Sequence, residues 1–483
     1  MFNFNKSAEP SLLVSALPVA FLLSFLACVL IIKGAGAISD YSHLALLSSA
    51  VLAVVLAFFA RALSRRGMII GFRRSARQIL PAVPMLIFIA IVSTTWMLSG
   101  VVPTLIDYGL QLLTPKAFLV VTCAVCAVIS VLTGSSWSTI ATIGVAFMGI
   151  GTVMGFHPGW VAGAIISGAY FGDKVSPLSD TTVVASSACG VDLFKHIRYL
   201  IITSIPAMGL ALVVFLLAGV FSSPSSDIAA SEIRGLLAET FNLSPWVLVI
   251  PVLTVALIAF RVPTLVVLFA SGMMGLAGVF VFQPHLLEMW DGGSLQGVLK
   301  MIWSETVFAT GNATFDDLVT TSGITGMLNT VALVLCAMMF GTAMIGTGML
   351  GRLTRALTSR LNSRFAIVGS TVGCGLSLNS CTADQYLSII IGGNMFRNVY
   401  RRYGLEPRLL SRTLEDSVSV TSVLIPWNSC GVTQSAVLGV ATLTYLPFCI
   451  FNYMSPLFTL LFAFTGFKIK EGIKTLQPSP ATH

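Results

Sequence analysis

Apolar runs of about twenty residues recur from end to end of the chain. Each is long enough to cross ~30 Å of hydrocarbon as a helix. In order they predict spans at about 11–33, 43–62 and 79–98. Two apolar arms in 117–155 then meet at Gly134-Ser135-Ser136, and a segment at 159–190 is interrupted at 172–182. A span at 199–221 follows, with a polar loop at 222–244. Two more spans, 245–261 and 263–283, turn at Arg261-Val262-Pro263, and a polar segment fills 284–324. After a span at 325–350, a second pair of arms at 365–400 meets at Asn379–Asp384. A broken segment at 409–440 and a last span at 444–467 complete the pattern. The expected fold is an all-α polytopic membrane protein with inverted-topology repeats, re-entrant hairpins and broken helices. Arms of this length fit either re-entrant hairpins or full spans; the polar tips favour hairpins. The divisions are 1–78, a first repeat 79–221, linking spans 222–324, a second repeat 325–467 and a tail 468–483.

Charge orients the spans, because cytoplasmic loops collect Lys and Arg. Arg61, Arg65, Arg66, Arg73, Arg74 and Arg77 mark one inside loop; Lys195, His196 and Arg198 mark another. Arg352, Arg355, Arg360 and Arg364, and then Arg397, Arg401 and Arg402, mark two more. Asp40, the acids of 222–244 and those of 284–324 (Glu288, Asp291, Glu305, Asp316, Asp317) fall outside. Both termini are therefore expected in the cytoplasm, with the chain multi-pass in a bacterial inner (plasma) membrane. Composition agrees. Of 483 residues 56% are hydrophobic and 10% charged, with mean hydropathy +0.92; soluble domains carry about 25% charge. The net charge of +8 belongs to these loops, so nucleic acid is not expected as a partner. Cys123 and Cys126 sit one turn apart on an apolar helix, as packing residues. No HExxH, nucleophile–base or metal-ligand spacing indicates an enzyme or a resident cofactor.

The two halves repeat arms, tip and broken segment in the same order, about 240–245 residues apart. On that spacing Ser135-Ser136 aligns with Ser380-Cys381, Asp173 with Asp416, Ser176 with Ser419, and Cys189-Gly190 with Cys430-Gly431. The first unit begins at an arginine cluster, whereas the equivalent span of the second ends at one. The copies are therefore expected to be inverted, an arrangement used for alternating access.

Charge and irregular backbone survive at membrane depth where they line a cavity. A Na⁺ site needs carboxylate, hydroxyl, amide and carbonyl oxygens. A carboxylate there can hold the ion or a proton, which turns competition into exchange. Asp173, Asp180 and Asp384 are the expected carboxylate ligands of the transported Na⁺, with Asp416 beside them. Ser135, Ser136, Ser176, Asn379, Ser380, Thr382 and Asn428 are the neutral candidates. Structural alternatives stand next to these. Asp173 could pair with Lys174, and Asp180 or Asp384 could cap a helix. Glu415 and Asp416 could pair with Arg408 or Arg412 at a cytoplasmic mouth.

At these residues the chain resembles the NhaC-type Na⁺/H⁺ antiporter family. The matching stretches are Gly134-Ser135-Ser136-Trp137 with Thr142-Ile143-Gly144, Gly172–Thr182, and Gly190-Val191-Asp192-Leu193. In the second half they are Ala383–Leu387, Ser411–Asp416 and Ile425–Gly431. The resemblance runs from about 80 to 467 and is most specific in Gly172–Thr182. It implies secondary transport, usually Na⁺ out for H⁺ in, and a place among ion transporters that often form homodimers. It also admits exchangers of organic anions and proposed amino-acid carriers. Ser138, Ala141, Cys381 and Val423 depart from the family pattern, and three of them border the tips. The leading expectation is thus exchange of cytoplasmic Na⁺ or Li⁺ for external H⁺. The alternative is a Na⁺- or H⁺-coupled carrier of a small organic anion or amino acid, since helix N-termini suit a carboxylate and Lys174 could neutralise one.

Overall fold

The computed structural model describes residues 10–34, 37–60, 68–69, 72–73, 76, 82–222, 227–260, 262–289, 295–357 and 363–469. Arg61, Arg65, Arg66, Arg74, Arg77, Arg261, Asp291, Arg360 and positions 470–483, used above to orient the chain, lie outside them. The described residues are overwhelmingly helical; an isolated antiparallel bridge joins Thr306 and Thr321. Among them, 8 helices are long and apolar enough to cross a membrane, or up to 11 if each sharply bent pair counts as one span. Leu193–Phe221 turns Ile201, Ile205, Leu210, Val213 and Leu217 outward. In water such a stripe would be a liability; in a bilayer it meets acyl chains. The protein is an all-α polytopic membrane protein.

Several boundaries differ from the sequence expectation. The second span starts at Ile38, ahead of 43. After Ala82–Leu98 the chain bends by 64° and continues as Val101–Leu112, where no element was expected. The expected loop 222–244 contains a helix, Asp227–Thr240. The outer segment contains the short helices Pro284–Met289, Leu295–Trp303 and Ala313–Val319. Each was hidden because amphipathic or short helices lack a long apolar run.

The repeat is tighter than expected. The first hairpin comprises Pro115–Thr133 and Ser136–Val153; the second comprises Arg364–Thr382 and Gln385–Arg402. Every boundary is displaced by 249 residues (364 less 115, 382 less 133, 385 less 136, 402 less 153). The first broken helix runs Pro158–Val175 and Asp180–Cys189, and the second begins at Pro407 and ends with Ser429–Leu438. Pro158 and Pro407 both open a helix, and Gly190 and Gly439 both close one in the left-handed region, again 249 apart (407 less 158, 439 less 190). The two units therefore align without a gap. The expected spacing of 240–245 is corrected, and with it the pairing of Asp173 with Asp416. Matching like residues pulled the weak alignment out of register.

Both hairpins turn by one device. Gly134 (φ 67°) and Ala383 (φ 56°) each end the first arm in the left-handed region. Ser135 and Asp384 then cap the second arm through Ser138 N–H (3.2 Å) and Leu387 N–H (2.7 Å). The left-handed conformation is free for glycine and costs alanine about 1–2 kcal/mol, which the second tip must offset by packing. Behind the tips, Thr133 and Thr139 hydroxyls meet at 3.2 Å, as Thr382 and Ser388 do at 2.8 Å. Each arm, at 18 or 19 residues, is long enough by itself to cross hydrocarbon.

Candidate functional site

In each unit the hairpin tip lies against the break of the following helix. A Cβ placed on Gly134 would stand 2.5 Å from the Leu178 Cβ, so glycine is required there for approach as well as for φ. In the second unit, Ser429 N–H donates to the Ala383 carbonyl at 2.9 Å, Trp427 Nε1 to the Ser380 carbonyl at 2.8 Å, and Asn428 Nδ2 to the Asn379 carbonyl at 3.2 Å. Supporting bonds also match. The Ser130 hydroxyl donates to the Ala169 carbonyl (2.5 Å) and Asn379 Nδ2 to the Val418 carbonyl (2.7 Å). Helix N-termini capped by Ser179 and Asn428 open from the two breaks. Their partial positive charge favours anionic groups and cargo oxygens.

Asp173 lies just before the first break, half-buried, and accepts a hydrogen bond from the Ser136 hydroxyl at 2.7 Å. The equivalent positions in the second unit, Ser422 and Gln385, also bond to each other: the Ser422 hydroxyl donates to Gln385 Oε1 at 3.2 Å. The same contact is thus charged in one unit and neutral in the other. Gln385 and Ser422 were not among the expected ligands; the correct register would have found both. Tyr386, next to Gln385, has Asp173, Asp180 and Asp384 within electrostatic reach. Trp137 Nε1 and the Tyr170 hydroxyl are buried without a hydrogen-bond partner, and both face the Cys430 thiol. The Cys430 thiol of the second unit is the group that both first-unit donors act on, so this contact joins the units.

The other expected ligands are placed as follows. Asp180 is exposed in the first turn of Asp180–Cys189, while the cap is Ser179, which accepts from Thr182 N–H at 3.4 Å. Asp384 is the cap described above, and Thr382 donates to its carbonyl at 3.0 Å. Asp173, Asp180 and Asp384 were expected to share one Na⁺; among the described residues no three His, Cys, Asp or Glu side chains converge on a common metal position. The reason is local: one carboxylate opens a helix toward solvent and another is held by its own cap. Ser135 also caps; Ser176 donates to the Val131 carbonyl at 2.8 Å and Ser380 to the Leu376 carbonyl at 3.0 Å. Asn428 Oδ1 accepts from Cys430 N–H at 3.1 Å, whereas Asn379 Oδ1 is buried and open.

Asp416 is the largest departure. It was expected beside the cargo, and the structure surrounds it instead. Lys174 pairs with Oδ1, the Ser455 hydroxyl donates to Oδ1 at 2.9 Å, and Thr203 (3.0 Å) and Thr459 donate to Oδ2. Lys174 is 1% and Asp416 0% exposed, so the pair is sealed from water. It ties together both broken helices, Leu193–Phe221 and the last helix Ile450–Thr465. Lys174 therefore pairs across the units and not with its neighbour Asp173. Arg412 lies 4.0 Å from Asp416 and stacks 4.4 Å over the Tyr199 ring, fully buried. Arg408 pairs with Glu406 at 2.5 Å. Neither arginine pairs with Glu415, whose two carboxyl oxygens are buried and open.

Two hairpin-and-broken-helix units closed around polar groups at membrane depth define a polytopic membrane transporter. The model described as the Na⁺/H⁺ antiporter family matches residues 3–200 and again 168–467, and the chain belongs to that family. It is 37% identical to the Na⁺/H⁺ antiporter NhaC of Alkalihalophilus pseudofirmus, across 79% of this chain and 81% of that one. It is 33% identical to a malate-2H⁺/Na⁺-lactate antiporter of Bacillus subtilis (80% and 81% covered). It is 32% identical to the arginine/ornithine antiporter ArcD of Halobacterium salinarum (97% and 94% covered). Antiport is common to all three names; the cargo is not.

Proposed function

We propose that the chain exchanges cytoplasmic Na⁺ or Li⁺ for external H⁺ by alternating access. The observation that carries the reading is the half-buried Asp173, held by the Ser136 hydroxyl where the first tip meets its break. Asp173 supplies the carboxylate. Ser136, Gln385 and Ser422 supply neutral oxygens, and Asp180 and Asp384 add negative field around Tyr386. The sealed Lys174–Asp416 pair holds the two broken helices in register and stays outside the ion's shell. Na⁺ and H⁺ cross in opposite directions in alternate conformational crossings, so a gradient of either drives the other. The units work as inverted copies in a plasma-membrane homodimer with both termini cytoplasmic.

A second reading has its own support. The neutral Gln385–Ser422 pair suits an amide or carboxylate cargo group, and two of the relatives are named for organic cargoes. Everted vesicles with a preset pH gradient separate the two. Na⁺-dependent collapse of the gradient is expected. No response to Na⁺ or Li⁺, together with gradient-driven uptake of a labelled organic acid or amino acid, overturns the first reading in favour of the second.

A further inference from the structure

Glu415 has no place in the scheme above, and its surroundings are unusual. It is 0% exposed, and neither carboxyl oxygen has a hydrogen-bond partner. Its neighbour Asp416, by contrast, is bonded on both oxygens. Glu415 opens a π-helical turn, Glu415–Ser419, and the buried Ser419 hydroxyl at the other end of that turn is the neutral group that acts on its carboxyl, short of a formed hydrogen bond. π-turns inside helices commonly mark functional positions. The residue 249 positions earlier (415 less 166) in the first unit is Ile166, fully buried in apolar packing. The acid is therefore an addition to one unit, and the shared fold does not require it.

A buried, unpartnered carboxylate is tolerated only when neutralised by a proton or by a cation. The charged groups acting on Glu415 are Asp173 and Lys174 from the first broken helix and Asp416 beside it. Lys174 is already taken by Asp416. Asp180–Cys189, packed against the π-turn, brings the Cys189 thiol near Glu415 and holds Asp180 at its far, exposed end. Arg412, one turn earlier, stacks on Tyr199. The hairpin arm Gln385–Arg402 contributes Tyr386 and Tyr400 as uncharged phenols, with Arg397 donating to the Ala188 carbonyl. The remaining arm and the last helix bring thiols and a phenol, with Arg364 at the far end of its arm, bonded to the Ala463 carbonyl at 2.8 Å. Arg412 has no hydrogen bond on its guanidinium nitrogens, but it lies over the Tyr199 ring and 4.0 Å from Asp416, and no cation among these groups pairs with Glu415, so a proton is the fitting partner.

We infer that Glu415 is the proton-carrying residue of the exchange, distinct from the cargo carboxylate Asp173. An external proton converts Glu415 to the neutral acid. After the crossing, that proton leaves to the cytoplasm, and the restored carboxylate draws Na⁺ toward Asp173. This inference rests on the Na⁺/H⁺ reading, and its test has one readout that does not.

Purified protein is reconstituted in liposomes and compared with Glu415→Gln and with Glu415→Ile, which copies the first unit. Infrared difference spectra across pH report carboxyl protonation without any cargo. Labelled Na⁺ flux is measured with and without a pH gradient. The wild type is expected to show one protonated-carboxyl component that disappears on alkalinisation and that both variants lack by subtraction, whatever bands the other acids give. The ratio of flux with the gradient to flux without it should fall to one in both variants. Glu415→Asp should keep gradient drive with a displaced pH profile. Glu415→Gln spectra that keep every titrating carboxyl component of the wild type overturn the inference, as does gradient-driven flux equal to wild type. A folded variant without flux in either condition also overturns it, because Glu415 would then hold cargo. If the wild type moves no Na⁺, the antiport reading fails and the infrared band alone decides for or against Glu415.

Discussion

The Ser136–Asp173 contact of the first unit and the Ser422–Gln385 contact of the second occupy equivalent positions, 249 residues apart (385 less 136, 422 less 173). Both units use the same caps, tips and supporting bonds, yet only the first carries charge at this point. The second unit carries its acids elsewhere, at Asp384, Glu415 and Asp416, where the first has Ser135, Ile166 and Ser167. A duplicated scaffold has thus kept its backbone chemistry and divided its ionisable groups. The first unit holds a carboxylate, Asp173, where its tip meets its break. The second brings one carboxylate that caps its hairpin arm, one that locks the units together and one without a hydrogen bond.

The lock should show the largest effect. Lys174→Met leaves Asp416 buried without its cation, which costs about 3–5 kcal/mol. Little folded protein should survive detergent extraction, as followed by size-exclusion chromatography. Lys174→Met with Asp416→Leu should recover part of it, since apolar replacement of a buried pair is often neutral or stabilising, while Arg412 loses the carboxylate 4.0 Å from it. A double variant no better than Lys174→Met alone would mean that the pair is not the lock.

Next comes the charge asymmetry itself. Asp173→Asn should abolish coupled exchange in vesicles while leaving expression and monodispersity near wild type. Gln385→Ala should only weaken it. Equal losses at the two positions would break the distinction between units. The hydroxyls give a finer comparison. A hydrogen bond to a charged group is worth about 1.5–3 kcal/mol and a neutral one about 0.5–1.5. Ser136→Ala should therefore weaken apparent Na⁺ affinity by about ten- to a hundredfold, and Ser422→Ala by about two- to tenfold. The smallest effects belong to the caps. Ser135→Ala and Asp384→Ala should each cost about 1 kcal/mol in thermal stability, whereas Asp384→Asn keeps the cap. Loss of transport in Asp384→Asn without loss of stability would isolate its electrostatic contribution.

Much of this was legible in the sequence. Long apolar runs fixed the major spans, and polar tips at Gly134 and Asp384 located both hairpins, because hydrocarbon penalises unpaired polar groups. Val101–Leu112 and Asp227–Thr240 escaped notice, since a short or amphipathic helix carries no continuous apolar signal. The site was read less well. Asp173 and Ser136 were singled out, but matching acid to acid placed Asp173 on Asp416 and hid Ser422 and Gln385. The landmarks with a physical reason to repeat are Pro158 with Pro407, Pro177 with Pro426, and Gly190 with Gly439. Proline opens or breaks a helix and glycine closes one, so those positions hold register after side chains diverge. The pairing of Lys174 with Asp416 could not be seen from sequence, because 242 residues separate them.

The most direct test of the division of labour is carbodiimide modification of the intact protein, mapped by mass spectrometry with and without Na⁺. Asp173 is expected to be modified and to be protected as Na⁺ is added, while Asp416 stays unmodified in both conditions. An adduct on Asp416, or modification of Asp173 that ignores Na⁺, would contradict it.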